Sequence, residues 1–238
     1  MCSSDLEAQQ AREDAVAAVR AATLVGQPRA QMLGETLGVF ACLEMGDVQA
    51  TQLHLEQEMQ LIRQLGARRF EAQNIEMHAR LLLDSGRRKD AVVLLHEALA
   101  ICAEVGMQFT GPKAVGALCC ALEDDGERAH WLARGAELLR LGSVGHNHLW
   151  FYRDAIEAML SAGDAPGALR YVTSLEEYTQ VEPLPWAELF AARGRVLAHC
   201  LQGPVDNATQ RELERVGALL RDARFTRYLV AVNALLAA

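Results

Sequence analysis

Aromatic residues are scarce in this chain, and prolines, paired cysteines and long apolar runs are scarcer still. Phe, Trp and Tyr make up 5% of the 238 residues and Pro only six of them. Long β-branched runs are missing while Ala and Leu dominate, which argues for helix over sheet. No C-x-x-C spacing occurs among the six cysteines, so neither a zinc pair nor a redox dithiol has its motif. Cys42, Cys102, Cys119, Cys120 and Cys200 fall inside apolar helical stretches, where a free thiol behaves as a small hydrophobe. A reducing cytoplasm is the expected setting. No apolar run reaches ~18 residues, so no membrane span is expected. No basic region followed by an apolar one marks a signal peptide. Positive charge is also short. The net charge of -8 removes the basic face that nucleic acid requires. Arg68-Arg69 and Arg87-Arg88-Lys89 are local exceptions at predicted turns, read as solvated loop charges.

What the chain does contain is a ruler of glycine. Gly26, Gly46, Gly66, Gly86, Gly106 and Gly126 recur every 20 residues. The spacing then slips through Gly142 and Gly163 and returns at Gly203, with Pro183 and Pro185 supplying the break between. Glycine ends helices in the left-handed conformation, and proline prevents a helix from continuing. Alternate glycines share a pattern of apolar helix end, glycine, polar residues and alanine, as in "CLEMGDVQA" and "LEDDGERA". The unit is therefore a helix pair of about 40 residues, a period of helical solenoids. First helices are predicted at 28–45, 67–85, 110–123, 148–162 and 186–201. Partners are predicted at 47–65, 87–105, 127–141, 164–179 and 205–222. The segment 7–25 reads as a second helix without its first, and 226–237 as a terminal docking helix or a cut edge. Ala91, Leu95, Ala98, Cys102 and Val105 step by 4, 3, 4 and 3 along one buried face, widened by Leu94, Leu99 and Ile101. The expected fold is all-α, a right-handed superhelix of stacked antiparallel helix pairs. Residues 7–238 are expected to form one α-solenoid domain, TPR-like by the family resemblance given below. "CSSDL", Cys2 to Leu6, reads as translated adapter read-through, so 1–6 is expected to be a non-native scar and the protein to extend upstream.

Chemistry-bearing motifs are few. "HNH" at 146–148 lacks the ββα-metal context of a nuclease. His146 and His148 stand two apart and do not share a helix face, and no third ligand is nearby. Asn147 or His146 is expected to cap a helix starting near His148. "ALCCALEDDGE" fits a helix end before a turn at Gly126, and no phosphate loop or nucleophile elbow occurs. No catalytic residue, metal ligand or cofactor is expected.

Two segments stand apart, "HNHLWFYRDA" from His146 and "EEYTQVEPLPW" from Glu176. Lying one repeat apart, they should be neighbours in space. Pro183 and Pro185 should place Trp186 at the start of a first helix. One reading is an aromatic plug sealing an irregular repeat, with Arg153 bonded to Glu157 or Glu182. The other is a binding groove formed by His148, Trp150, Tyr152, Arg153, Glu157, Tyr178, Glu182 and Trp186, which would stack on and hydrogen-bond to a peptide or small ligand.

"HNHLWFYRDAIEAMLSAGD" and "ALRYVTSLEEYTQVEPLPWAELFAARGRVLA" resemble the carboxy-terminal helical region of large bacterial adenylate/guanylate cyclase-like proteins. In these, a cyclase domain and a signalling ATPase module precede a tetratricopeptide-like region. The likeness is most specific over 143–200. It implies a non-catalytic scaffold whose partner is a protein or the parent's own upstream catalytic domains, with neither nucleic acid nor membrane. The alternative is a small-molecule effector, as in maltose-regulator-type activators with related repeats.

Overall fold

The structure is a computed structural model, and it describes residues 8–237. The segment 1–6, read as a scar, lies outside the described residues. Twelve α-helices follow one another, with no strand among the described residues. They are α1 (Ala8–Leu24), α2 (Pro28–Glu44), α3 (Val48–Leu65), α4 (Arg68–Asp84), α5 (Arg88–Val105), α6 (Gly111–Ala121), α7 (Asp125–Arg140), α8 (Gly145–Ser161), α9 (Ala165–Thr179), α10 (Pro185–Gln202), α11 (Asn207–Asp222) and α12 (Leu229–Leu236). A single 3-10 turn, Thr226–Tyr228, leads into α12. No helix among them is long and apolar enough to cross a membrane.

Local sequence explains where the helices start and stop. Gly46, Gly66, Gly86 and Gly163 hold φ between 61° and 74°, the left-handed turn that ends the preceding helix. The even-numbered helices α2, α6 and α10 open with proline in the first turn. Four odd-numbered helices open on an aspartate, α9 with Pro166 in its first turn as well. Asp47, Asp124, Asp164 and Asp206 each accept a backbone N–H three residues on, capping α3, α7, α9 and α11. Two predicted starts shift. Gly126 lies inside α7, because Asp124 caps that helix and makes the turn unnecessary. α8 begins at Gly145, with extended Val144 before it, so neither His146 nor Asn147 is a cap.

Successive antiparallel helices pack on each other, and α2, α4, α6, α8 and α10 additionally form an inner row. Small residues set the close approaches. A Cβ on Gly135 of α7 would collide with the Phe151 ring of α8. One on Gly194 of α10 would meet Ile156 and Val172.

The inner row does not lie open. Phe40 of α2 touches Trp150 of α8, with ring centroids 5.3 Å apart, although two helices of the row stand between them. The turn before α12 then seals the remaining opening. The Thr226 hydroxyl donates to the carbonyl of Met45, and Arg227 pairs with Asp84 at 2.9 Å. Tyr228 Oη donates to Glu44 at 3.4 Å. Phe225, Tyr228, Leu229 and Val232 join the same core as Val39, Leu43, Trp186 and Phe190. The last predicted helix is thus a docking element.

Candidate functional site

Charged residues fill the centre of the row. Lys113 of α6 is fully buried, with Nζ 2.9 Å from Glu76 of α4. Arg80, one turn beyond Glu76, bonds back to it and grips Asp154 of α8 with Nη1 at 3.1 Å and Nη2 at 2.6 Å. Arg153 binds the same Asp154 at 2.8 Å and reaches Glu44 of α2 at 3.0 Å. Three cations therefore meet three carboxylates out of contact with bulk water.

The indole of Trp150 forms the platform of this cluster. Arg153, Arg80 and Lys113 lie 4.1, 4.9 and 5.3 Å from its ring centre. Lys113 also lies 4.7 Å from the Phe40 ring. Cations are drawn to the negative face of an aromatic ring most strongly where water is excluded. Burial by itself would raise the Asp154 carboxyl, but Arg153 and Arg80 more than offset this and hold it below its ordinary value. For Lys113 burial wins, lowering its pKa despite Glu76.

The eight residues expected to line one groove separate into groups. Trp150, Arg153 and Trp186 belong to the buried centre, with the Arg153 guanidinium 5.7 Å from the Trp186 ring. The two aromatic segments are neighbours, as their spacing predicts. His148, Tyr152 and Tyr178 form a separate, partly exposed stack, in which the His148 and Tyr178 rings are parallel at 4.3 Å. Glu182 is exposed on the turn between α9 and α10. Arg153 does not bond Glu157 or Glu182. Its partners are Asp154 and Glu44, while Glu157 pairs with Arg193 of α10. Glu44 lies 109 residues away in sequence and arrives only because α2 closes against α8.

The chain matches no protein-family model, no curated protein and no solved structure.

Sequence reasoning missed several members of the site. Glu44, Glu76, Arg80 and Lys113 all interrupt otherwise apolar helical faces, and that interruption was the available signal. Arg88 is exposed, as expected of a charge near a turn, but it also has a structural role. Its guanidinium donates to the carbonyls of Cys120 and Ala121 and so closes the C-terminus of α6. Asn147 is fully buried, and its amide donates to Gln108 O at 2.8 Å, tying α8 to the turn before α6.

His146, exposed at the start of α8, packs its ring roughly perpendicular to that of Phe109. No group of three or more His, Cys, Asp or Glu side chains among the described residues is placed to hold a metal ion. Burial pushes the Cys102 thiol up to about 11 and that of Cys119 up to about 12, which keeps both protonated at neutral pH.

Beside the central cluster, between α4, α8, α10 and the turn before α12, lies a cavity of about 270 Å³. Arginines dominate its wall.

Proposed function

We propose that this chain is the non-catalytic, TPR-like helical region of a bacterial cyclase/ATPase signalling protein, a right-handed superhelix acting in the cytoplasm as a scaffold. Its partner is a protein or the parent's own upstream catalytic domains. The observation that carries this reading is an apolar rim. In an antiparallel array, turns leading from odd to even helices all fall at one end. Of the five such turns between α1 and α10, four expose large apolar side chains: Leu24 and Val25, then Leu65, then Leu141 and Val144, then Val181. Leu24 is 82% exposed and Val181 96%. The other end exposes Val48, Leu201 and Val205 among aspartate caps and the Arg87–Asp90 pair. A run of exposed apolar side chains along one edge suits contact with another protein surface. The inner row is filled by the chain's own side chains, so the partner is assigned to the rim.

Replacing Leu24, Leu65, Leu141 and Val181 by Ser in the full-length protein tests this reading. Such surface changes should each alter stability by no more than about 0.5 kcal/mol. Capture of the upstream catalytic region should fall and cyclase output should change. Unaltered capture together with unaltered output would count against the scaffold. A small-molecule effector is the second reading, and the arginine-lined cavity is the observation that favours it.

A further inference from the structure

The cavity beside Trp150 presents guanidinium groups from five arginines: Arg80, Arg88, Arg153, Arg193 and Arg227. Only three carboxylates share its wall, and all three are occupied. Asp154 is held by Arg80 and Arg153, Asp84 by Arg227, and Glu157 by Arg193. Glu44 and Glu76, the further partners of Arg153 and Arg80, do not line it. A guest in this space therefore meets donors whose acceptors are already shared. It does so in a protein whose net charge is -8.

Two arginines carry unspent capacity. Arg227 lines the cavity with its side chain 16% exposed; Nη2 is engaged by Asp84 at 2.9 Å, and Nη1 has no hydrogen-bond partner and reaches the cavity only if the guanidinium turns. A buried cationic donor without an acceptor is unfavourable, and a matched anion relieves it. Arg88, with its side chain 43% exposed, bonds only main-chain carbonyls closely, and its nearest carboxylate, Glu123, is 3.9 Å away. The planar guanidinium fork suits carboxylate and phosphate oxygens above other groups. At roughly 30 Å³ per water-sized unit, the space of about 270 Å³ holds a guest of roughly ten non-hydrogen atoms.

We propose that this cavity binds a small oxyanion, a phosphate-bearing or dicarboxylate molecule, through Arg227 and Arg88. Arg80, Arg153 and Arg193 supply the positive wall. The site joins α4 and α8 of the inner row to the turn before α12, so an occupant would tighten the closure of the row. The proposal rests on the effector reading alone, and failure of the rim contact would leave it standing.

The test is a thermal melt of the chain in inorganic pyrophosphate and in succinate, each against sodium chloride at matched ionic strength. Binding at about 100-fold excess over Kd should raise Tm by about 5–10 °C in a chain of this size. Pyrophosphate alone shifting Tm would assign a phosphate site, and succinate alone a carboxylate site. The shift should be lost in Arg227→Gln or in Arg88→Gln. Arg88 sits at the exposed mouth, so its variant decides the matter should Arg227→Gln not fold. No shift in the wild-type chain with either anion overturns the proposal. So does a shift that survives in every variant that folds.

Discussion

Trp150 and Arg153 are bound to each other's fate by the water they exclude. The indole is 8% exposed and the guanidinium 1%, and each gives the other a contact that solvent would otherwise supply. Removing the cation leaves Asp154 and Glu44 buried with one partner fewer. Arg153→Ala should destabilise the fold by about 3–5 kcal/mol, the usual consequence of breaking a buried pair. Tyr178 offers the contrast. It is 40% exposed and stacks on His148 at the edge of α8 and α9, so Tyr178→Ala should stay within about 1 kcal/mol. Urea titration of both variants checks the pair. Equal losses would mean that the eight residues of the expected groove act as one unit after all. The identity of the central residues was visible in the sequence, but their partners were not. Arg153 was matched to acids near it in the chain, whereas its carboxylate partner from outside α8 comes from α2.

Elements meet through a second polar contact, between α2 and α3. His54 Nδ1 donates to Glu35 at 2.6 Å, and Gly38 makes room, since a Cβ there would lie 2.7 Å from the imidazole. The Cys42 side chain and then Glu35 raise His54 from 6.5 to about 9. Nearby Glu58 rises to about 6, because burial outweighs the hydrogen bonds from Thr36 and Asn74. Both groups hold their protons more tightly folded than unfolded. The stabilisation from His54 is complete below pH 6.5 and drains away as pH rises through 9; that from Glu58 is lost between 4.5 and 6. Denaturation midpoints should therefore fall from pH 6.5 to 9, and His54→Gln should flatten that slope. A wild-type slope of zero or of opposite sign in this window would exclude His54 as its source.

Helix boundaries were legible because the left-handed glycines punctuate them. The predicted pairs lie within a few residues of α2 to α11. The exceptions have a physical reason. Before α7 a capping aspartate replaces the glycine turn, and before α8 the positive-φ Gly142 is followed by extended Val144, which starts the helix three residues before His148. The aspartates after Gly46 and Gly163 were in plain view and carried more of the helix starts than the alanines beyond them.

At the scale of the whole molecule, repeat arrays ordinarily unfold as a sum of neighbour terms. Here the turn at Thr226–Tyr228 joins helices from opposite ends of the row, through Met45, Asp84 and Arg193. Truncating Tyr228 to Ala should cost about 3–5 kcal/mol, as for other buried aromatics. It should also split one calorimetric transition into broader, separate ones for the two halves. A single transition merely shifted to lower temperature would show that closure adds stability without coupling the ends. Closure is the property least open to periodicity, which describes how each pair meets the next and not how far the row curls.

That closure has a consequence for the order in which the protein is made. Synthesis delivers Met45 and Glu44 to the ribosome surface some 181 and 184 residues before Thr226 and Tyr228. Until those late residues emerge, the nascent α2, α4 and α8 present Phe40, Trp150 and unshielded arginine–carboxylate pairs to the cell. Partly built helical chains of this kind are the species that chaperones engage, and they aggregate when chaperones are absent.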